Sequence, residues 1–225
     1  MSSNSYSINQ IAKITSAKAV LPNPDAVIRK LLTDSRTVID PEGSLFFAVS
    51  AQRNGHDFID HAYQNGIRNF VIAEHREVSK YPDANFLTVN DTLKALQELA
   101  AFKRQKYDIP IIGITGSNGK TIVKEWLFQL LYPKFHIVRS PKSFNSQIGV
   151  PLSVWQISED DNLCIFEAGV SKRGEMETLS QVIHPTIGIL TNIGEFCASQ
   201  HVFSVDIIYT PDFDDEITAC GSYTL

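Results

Sequence analysis

Apolar and polar positions along the first half of the chain alternate in a way that predicts short strands and amphipathic helices. Compact apolar runs are typical of buried strands, whereas helices repeat their apolar positions about every three to four residues. A hydroxyl at Ser7 and an amide at Gln10 form a capping box for the first helix. The predicted elements are strands at 45–49, 70–73 and 86–89 and helices at 8–14, 57–65 and 90–107. They indicate a small α/β domain over residues 1–107.

A second domain is predicted after the sequence Asp108-Ile109-Pro110, which has the character of a junction. From there strands alternate with helices, the rhythm that builds a mainly parallel sheet with helices on its faces. The predicted elements are strands at 111–115, 136–139, 163–167 and 187–193 and helices at 120–131 and 175–183. The pattern is lost after about residue 195, and no element is predicted from there to Leu225.

Composition and charge exclude several classes of function. The chain has 225 residues, 20% of them charged, and a net charge of −5, so it lacks the basic excess of a nucleic-acid-binding protein. No apolar run reaches the roughly 18 residues that span a bilayer, and the first ten residues do not form a secretory signal. We therefore expect a cytoplasmic protein without membrane insertion.

Three cysteines, Cys164, Cys197 and Cys220, are widely spaced and form no CxxC pair. This spacing argues against a disulfide framework or a structural zinc site and favours a reducing compartment. Cys164 lies inside an apolar run, which predicts a buried and inert thiol.

A glycine-rich loop between the strand at 111–115 and the helix at 120–131 is the strongest chemical signal. Its residues are Thr115, Gly116, Ser117, Asn118, Gly119, Lys120 and Thr121. Glycines allow backbone N–H groups to point at phosphate oxygens, and the helix N-terminus favours an anion. Lys120 would neutralise the β- and γ-phosphates of ATP, and the Thr121 hydroxyl would join a Mg²⁺ shell. The alternative is a glycine-rich turn with an exposed lysine.

The loop departs from the general Walker pattern, because Ile114 stands where that pattern has its first glycine. This variant resembles the loop of the Mur ligases, ATP-dependent enzymes that add amino acids to the UDP-linked peptidoglycan precursor. Other stretches that resemble the family lie, in the expected order, at 33–36, 43–48, 54–58, 145–152, 167–169 and 174–176. The resemblance extends over residues 8–194. It is greatest to the branch that adds D-alanyl-D-alanine to the UDP-N-acetylmuramoyl-tripeptide.

The resemblance implies a fold and a reaction. It implies an α/β fold in which a small N-terminal nucleotide-sugar domain, 1–107, precedes a P-loop-type parallel-sheet ATPase domain, 108–225. ATP would phosphorylate the terminal carboxylate of the precursor, and the amine of the dipeptide would displace phosphate from the acyl phosphate. The UDP-N-acetylmuramoyl peptide and D-alanyl-D-alanine are thus the expected substrates, and ATP and Mg²⁺ the expected cofactors.

In the ATPase domain, the resemblance implies that Lys120 and Glu167 are catalytic and that Thr121 and Glu167 hold Mg²⁺. A hard carboxylate suits that ion, although Glu167 can also be read as a surface carboxylate at a strand end. Asn145 is expected to contact the precursor, with a turn-forming role as the alternative. Asn192 is expected to approach the nucleotide.

In the first domain, the resemblance places Ser35 and Arg36 around the UDP moiety, and the fork of an arginine suits a diphosphate. His56 and Asp57 would border the uridine. The alternative is that His56 only begins a helix that Asn54 or Asp57 caps.

The resemblance stops after about residue 194. Family members continue with an Ala-His pair and an acidic residue, which residues 194–199 do not match, and the remainder of the ATPase domain and a third domain do not fit into 195–225. We therefore expect a truncated or frame-altered chain, or a fragment, that does not carry out ligation alone.

Three other functions remain open from the sequence. The loop also allows a general P-loop NTPase or small-molecule kinase, although Ile114 argues against it. A folylpolyglutamate-synthase-like ligase would share the loop but lack a first domain like residues 30–75. A non-catalytic module that binds UDP-linked precursors is the third alternative.

Overall fold

The structure is a computed structural model that describes residues 5–36, 38–51, 53–74 and 77–192. The chain forms two compact units, Met1–Lys103 and Arg104–Leu225, whereas the sequence placed the junction after Tyr107. Within the described residues no helix is both long enough and apolar enough to cross a membrane. The tail predictions lie outside the described residues, whereas the strand expected to reach residue 193 ends at Leu190, before the described residues 191–192.

The first unit is built on a five-stranded sheet. Its strands and α-helices are, in chain order, β1 (Tyr6–Ser7), α1 (Ile8–Ile14), β2 (Lys18–Val20), β3 (Val27–Ile28), β4 (Lys30–Leu32), β5 (Ser44–Phe47), α2 (Ile59–Gln64), β6 (Asn69–Ile72), β7 (Asn85–Thr88) and α3 (Thr92–Arg104), with 3₁₀ turns at Gly55–Phe58 and Val78–Lys80. The strand order is β2-β7-β6-β5-β4, and β2 alone runs antiparallel to its neighbour. A separate antiparallel pair joins β1 to β3.

Aromatic side chains fill the core of this unit. Phe46, Phe70 and Phe86 come from three adjacent parallel strands and are buried, and the rings of Phe70 and Phe86 stack with centroids 5.0 Å apart. Parallel strands buried on both faces form continuous apolar runs, which is why the sequence predicted β5, β6 and β7 correctly. The predicted capping box is also confirmed, since Ser7 and Gln10 exchange side-chain-to-backbone hydrogen bonds of 3.2 and 2.9 Å.

The second unit has a four-stranded, wholly parallel sheet, as predicted. Its elements are β8 (Ile111–Thr115), α4 (Lys120–Leu131), β9 (Ile137–Arg139), α5 (Gly149–Val154), β10 (Leu163–Glu167), α6 (Glu175–Ile183) and β11 (Ile187–Leu190). The order is β11-β8-β10-β9. Apolar residues of β8 and β10 pack against Val123 and Leu127 of α4, which fixes that helix on the sheet.

Parallel pairing gathers three chain segments at one edge of this sheet. Glu167 at the end of β10 lies opposite Ile114, and Leu190 at the end of β11 lies opposite Thr115. The glycine-rich loop, the Glu167 carboxylate and residues 191–192 therefore meet where the strands end, the usual ligand position in open α/β sheets.

Candidate functional site

The glycine-rich loop approaches the segment after β11 so closely that only glycine fits at residue 116. Gly116 has a φ of +129°, and a Cβ built there would lie 2.2 Å from Thr191 Oγ1 and 2.9 Å from the Asn192 carbonyl oxygen. Gly119, with a φ of +82°, is the N-cap of α4 and turns the chain into the helix. The two glycines therefore set the path of the loop.

Asn192 holds the first half of the loop. Its carbonyl oxygen accepts the Ser117 N–H at 3.0 Å, and its Oδ1 accepts the Asn118 N–H at 2.8 Å. These two amides thus point at Asn192. The remaining donors are the first N–H groups of α4, which have no intrahelical acceptor and carry the positive end of the helix dipole.

Lys120 and Thr121 begin α4 and turn toward the two sides of the loop. Lys120 Nζ donates to the Gly116 carbonyl oxygen at 2.6 Å, which places the ammonium over the loop. Thr121 Oγ1 donates to Glu167 Oε2 at 2.9 Å. Thr115 Oγ1 donates to the Ala168 carbonyl oxygen at 2.9 Å and so ties the loop to the residue after Glu167. The structure therefore brings Lys120, Thr121 and Glu167 together around one loop.

The Glu167 carboxylate is fully buried, so the alternative of a surface carboxylate does not hold. Its Oε1 accepts no hydrogen bond from the described residues, although Lys124 Nζ lies 2.8 Å away. The contact is an ion pair between two fully buried side chains. The other oxygen, Oε2, accepts the Thr121 hydroxyl beside the phosphate loop, and a buried carboxylate in that position fits a hard cation such as Mg²⁺.

Among the described residues, Thr121 and Glu167 would supply only part of a metal shell. Within the described ranges no three or more His, Cys, Asp or Glu side chains form a group able to hold a metal. Mg²⁺ commonly binds proteins through one or two side chains and completes its shell with phosphate and water. Thr121 and Glu167 therefore fit a magnesium ion that arrives with a nucleotide.

Lys124 is the residue of this site that the sequence analysis missed. It lies in α4 one turn after Lys120 and is fully buried. Residues four positions apart share one face of a helix, and a lysine is rarely buried unless it is paired. The sequence could have indicated Lys124, because it lies on the same face of the predicted helix as Lys120.

Asn145 lies beside the loop that follows Glu167. Its carbonyl oxygen accepts the Gly169 N–H at 2.7 Å. A Cβ built on Gly169 would lie 2.9 Å from Asn145 Cγ, so the glycine leaves room for the side-chain amide. Asn145 is thus half-buried at the same edge of the sheet as Glu167.

Ser35 and Arg36 lie beside α2 in the first unit. The buried Ser35 hydroxyl is 2.8 Å from His61 Nδ1, and the exposed Arg36 pairs with Asp34 at 2.6 Å. The hydrogen bond from Arg36 holds the pKa of the Asp34 carboxyl below its ordinary value. Arg36 therefore has an internal carboxylate partner, Asp34.

The His56 side chain is held by hydrogen bonds inside the first unit. It is buried, its Nδ1 is 2.8 Å from Asn54 Oδ1, and its Nε2 accepts the backbone N–H groups of Ala73 and Glu74 at 3.0 and 3.3 Å. Asn54 also accepts the His56 N–H and caps the 3₁₀ turn, whereas the sequence allowed Asn54 or Asp57 as the cap of the longer helix, and α2 itself begins without a side-chain cap. Asp57 is exposed in that turn.

Comparisons with known proteins give one consistent result. The family model for the Mur ligase middle domain matches residues 114–201. The UDP-N-acetylmuramoyl-tripeptide–D-alanyl-D-alanine ligase of Bacillus subtilis is 34% identical over 183 residues, which cover 79% of this chain and 39% of that protein. The same-named ligase of Borreliella burgdorferi is 37% identical over 182 residues, which cover 77% of this chain and 39% of that protein.

Two solved structures share the fold. A crystal structure of MurF from Acinetobacter baumannii matches with a TM-score of 0.78 at 24% identity and covers 88% of this chain and 43% of that one. The MurF ligase of Thermotoga maritima in complex with ADP matches with a TM-score of 0.63 at 28% identity and covers 73% of this chain and 38% of that one. The chain spans about two fifths of the length of the curated relatives above.

Proposed function

Because this chain belongs to the Mur ligase family, we propose that its second unit binds Mg-ATP and its first unit binds a UDP-linked peptidoglycan precursor. The reaction proposed for a ligase that contains these two units adds D-alanyl-D-alanine to the UDP-N-acetylmuramoyl-tripeptide in the cytoplasm, and this chain alone is not expected to complete it. One observation gives the main support for Mg-ATP binding. The Thr121 hydroxyl and the buried Glu167 carboxylate meet 2.9 Å apart at the N-terminus of α4, directly beside the glycine-rich loop.

The nucleotide phosphates would lie on the first N–H groups of α4. In that position Lys120 Nζ exchanges its contact with the Gly116 carbonyl oxygen for the β- and γ-phosphates. Thr121 and Glu167 would hold Mg²⁺, which when bound supplies further neutralisation of phosphate charge. The ADP complex of the Thermotoga maritima ligase, at 28% identity, supports this assignment of the site.

The proposed chemistry is phosphoryl transfer followed by amide formation. A carboxylate oxygen of the precursor attacks the γ-phosphorus, the bond to the ADP oxygen breaks, and an acyl phosphate results. The dipeptide amine then attacks the carbonyl carbon, phosphate leaves, and the nitrogen loses a proton. Such steps need positioning and charge neutralisation, which Lys120 and the N-terminus of α4 would provide.

Ser35, Arg36 and Asp57 are the proposed precursor contacts of the first unit, and Asn145 is the proposed contact of the second. Arg36 would exchange Asp34 for the diphosphate, since both are anions that accept two N–H bonds. The buried His56 would act indirectly by holding the backbone at Ala73 and Glu74.

Separate thermal-shift titrations test this function. We expect UDP-N-acetylmuramoyl-tripeptide and Mg-ADP each to raise the melting temperature of the chain. At a hundred times the dissociation constant a ligand stabilises by about 2.7 kcal/mol, which corresponds to roughly 5 °C or more for a domain of this size. ADP with EDTA in place of Mg²⁺ is the control and should give a smaller shift.

The four outcomes of the titrations separate the alternatives. A shift with precursor alone supports a binding module without nucleotide chemistry. A shift with Mg-ADP alone supports an NTPase or a different ligase. The proposal is refuted if neither ligand shifts the transition, and it is supported if both do.

A further inference from the structure

A fully buried lysine lies behind the phosphate loop. Lys124 has no exposed side-chain surface, and its ammonium contacts two other segments of the second unit. A buried charge is tolerated only where it is paired and hydrogen-bonded. The partners of Lys124 therefore show what this charge does.

Two of these partners are carbonyl oxygens of the segment after β9. Lys124 Nζ donates to Ser140 O at 2.9 Å and also to Lys142 O. Lys142 has a φ of +51°, a left-handed conformation that a lysine backbone rarely adopts. The ammonium thus holds an irregular turn against α4.

The other partners are carboxylates. Glu167 Oε1 lies 2.8 Å from Lys124 Nζ, and the half-exposed Glu125 lies 3.3 Å away and also pairs with Arg139. Glu167 is as fully buried as Lys124, so each is the main neutralising charge of the other. Because Thr121 binds the second carboxylate oxygen, Lys124 determines which oxygen faces the loop.

The segment 140–145 is attached to the same strand end by its own hydrogen bonds. Ser140 Oγ accepts the Glu167 N–H at 3.1 Å, and the Asn145 carbonyl oxygen accepts the Gly169 N–H at 2.7 Å. One end of the segment is therefore held by Lys124 and Glu167, and the other lies against the loop after Glu167.

We propose that Lys124 is a positioning residue whose ammonium fixes the Glu167 carboxylate and the segment 140–145 relative to the phosphate loop. It thereby couples the metal–nucleotide site to the precursor contact at Asn145. The identity of these two ligands rests on the proposed function, but the arrangement itself does not. Without Lys124, a buried carboxylate loses its cation and two carbonyl oxygens lose their donor.

Amide hydrogen exchange of the chain without ligands tests the positioning directly. In Lys124→Met, we expect the amides of Glu167 and Gly169 to exchange about ten-fold faster, because both donate to the released segment. The Ala168 amide lies between them and donates to Ile114 O in the sheet at 2.8 Å. It should change by less than about two-fold, which distinguishes local release from general destabilisation.

Nucleotide titration of the same variant tests the coupling to the metal. We expect the gain in ADP affinity on adding Mg²⁺ to fall about ten-fold, because Glu167 is no longer held for the ion. ADP affinity in EDTA should change by less than about three-fold, because the N–H groups of α4 are retained. A purely structural role would lower both affinities together.

Two further variants serve as controls. Lys103→Met removes another buried lysine, in the first unit, and should alter neither the three amides nor the effect of Mg²⁺. Lys124→Gln keeps N–H donors for the carbonyls but has no charge. In this variant the Gly169 amide should stay protected, but the gain in ADP affinity on adding Mg²⁺ should still be lost. The glutamine variant also replaces Lys124→Met in these measurements if the methionine variant does not fold.

The proposal is overturned if all three amides change equally, if none changes, or if the effect of Mg²⁺ survives without the charge. The exchange measurement needs no nucleotide. If the wild-type chain bound no ADP, the proposed function would be refuted. The exchange rates of the Glu167, Ala168 and Gly169 amides would still show whether Lys124 positions the segment 140–145.

Discussion

At the scale of single residues, the most informative feature of the candidate site is a pair of buried charged side chains. Glu167 and Lys124 are both fully buried and lie 2.8 Å apart, at the end of a strand whose other side chains are apolar. A buried ion pair contributes little net stability compared with apolar side chains of similar volume. The position of the pair beside Thr121 indicates that its role is to hold the Glu167 carboxylate at the phosphate loop.

Cys164 lies on the same strand and provides a test of burial by pH. Burial raises the pKa of its thiol from 9.0 to about 12. Between these values the unfolded chain releases this proton and the folded chain keeps it, so stability falls as the pH rises. We expect the stability of the wild type relative to Cys164→Ala to decrease by about 1 kcal/mol from about pH 9 to pH 10 in urea unfolding. Below about pH 8 the difference should be constant, and a difference that stayed constant up to pH 10 would contradict the burial.

At the scale of elements, the strand–helix alternation predicted the second unit closely. The strands β8 and β10 and both predicted helices have the bounds expected from their apolar spacing. The helix α5 was missed because it is short and contains Gly149 and Pro151, which normally indicate a loop. The strands β2, β3 and β4 were missed because each has only two or three residues and a largely exposed face.

Two glycines with positive φ make a matched pair for testing the phosphate loop. Gly116→Ala places a Cβ 2.2 Å from Thr191 Oγ1, whereas Gly174→Ala at a φ of +85° meets nothing within 4 Å. Gly174→Ala should lower the free energy of unfolding by about 1 kcal/mol through backbone strain alone, and Gly116→Ala should lower it further because the added Cβ also clashes with Thr191 and the Asn192 backbone. Only Gly116→Ala should also weaken Mg-ADP binding, by about ten-fold or more, as measured by titration. Equal affinities in the two variants would show that the loop does not contact the nucleotide.

At the scale of the whole molecule, the site depends on how the strands are ordered. The sequence located the loop and Glu167, but Lys124 and Ser140 join them only because β8 and β9 both pair with β10. That pairing depends on long-range packing, which a reading of local apolar spacing does not contain. Similarly, the sequence did not show that His56 is buried beneath Ala73 and Glu74.

We propose above that the N-terminus of α4 and Lys120 bind the phosphates of a magnesium nucleotide. Isothermal titration of Mg-ADP into the wild-type chain, Lys120→Ala and the exposed-site control Lys134→Ala tests this most directly. We predict that Lys120→Ala weakens binding by about ten-fold or more and that Lys134→Ala leaves it unchanged. Equal affinity in the wild type and Lys120→Ala would show that Lys120 does not bind the nucleotide phosphates.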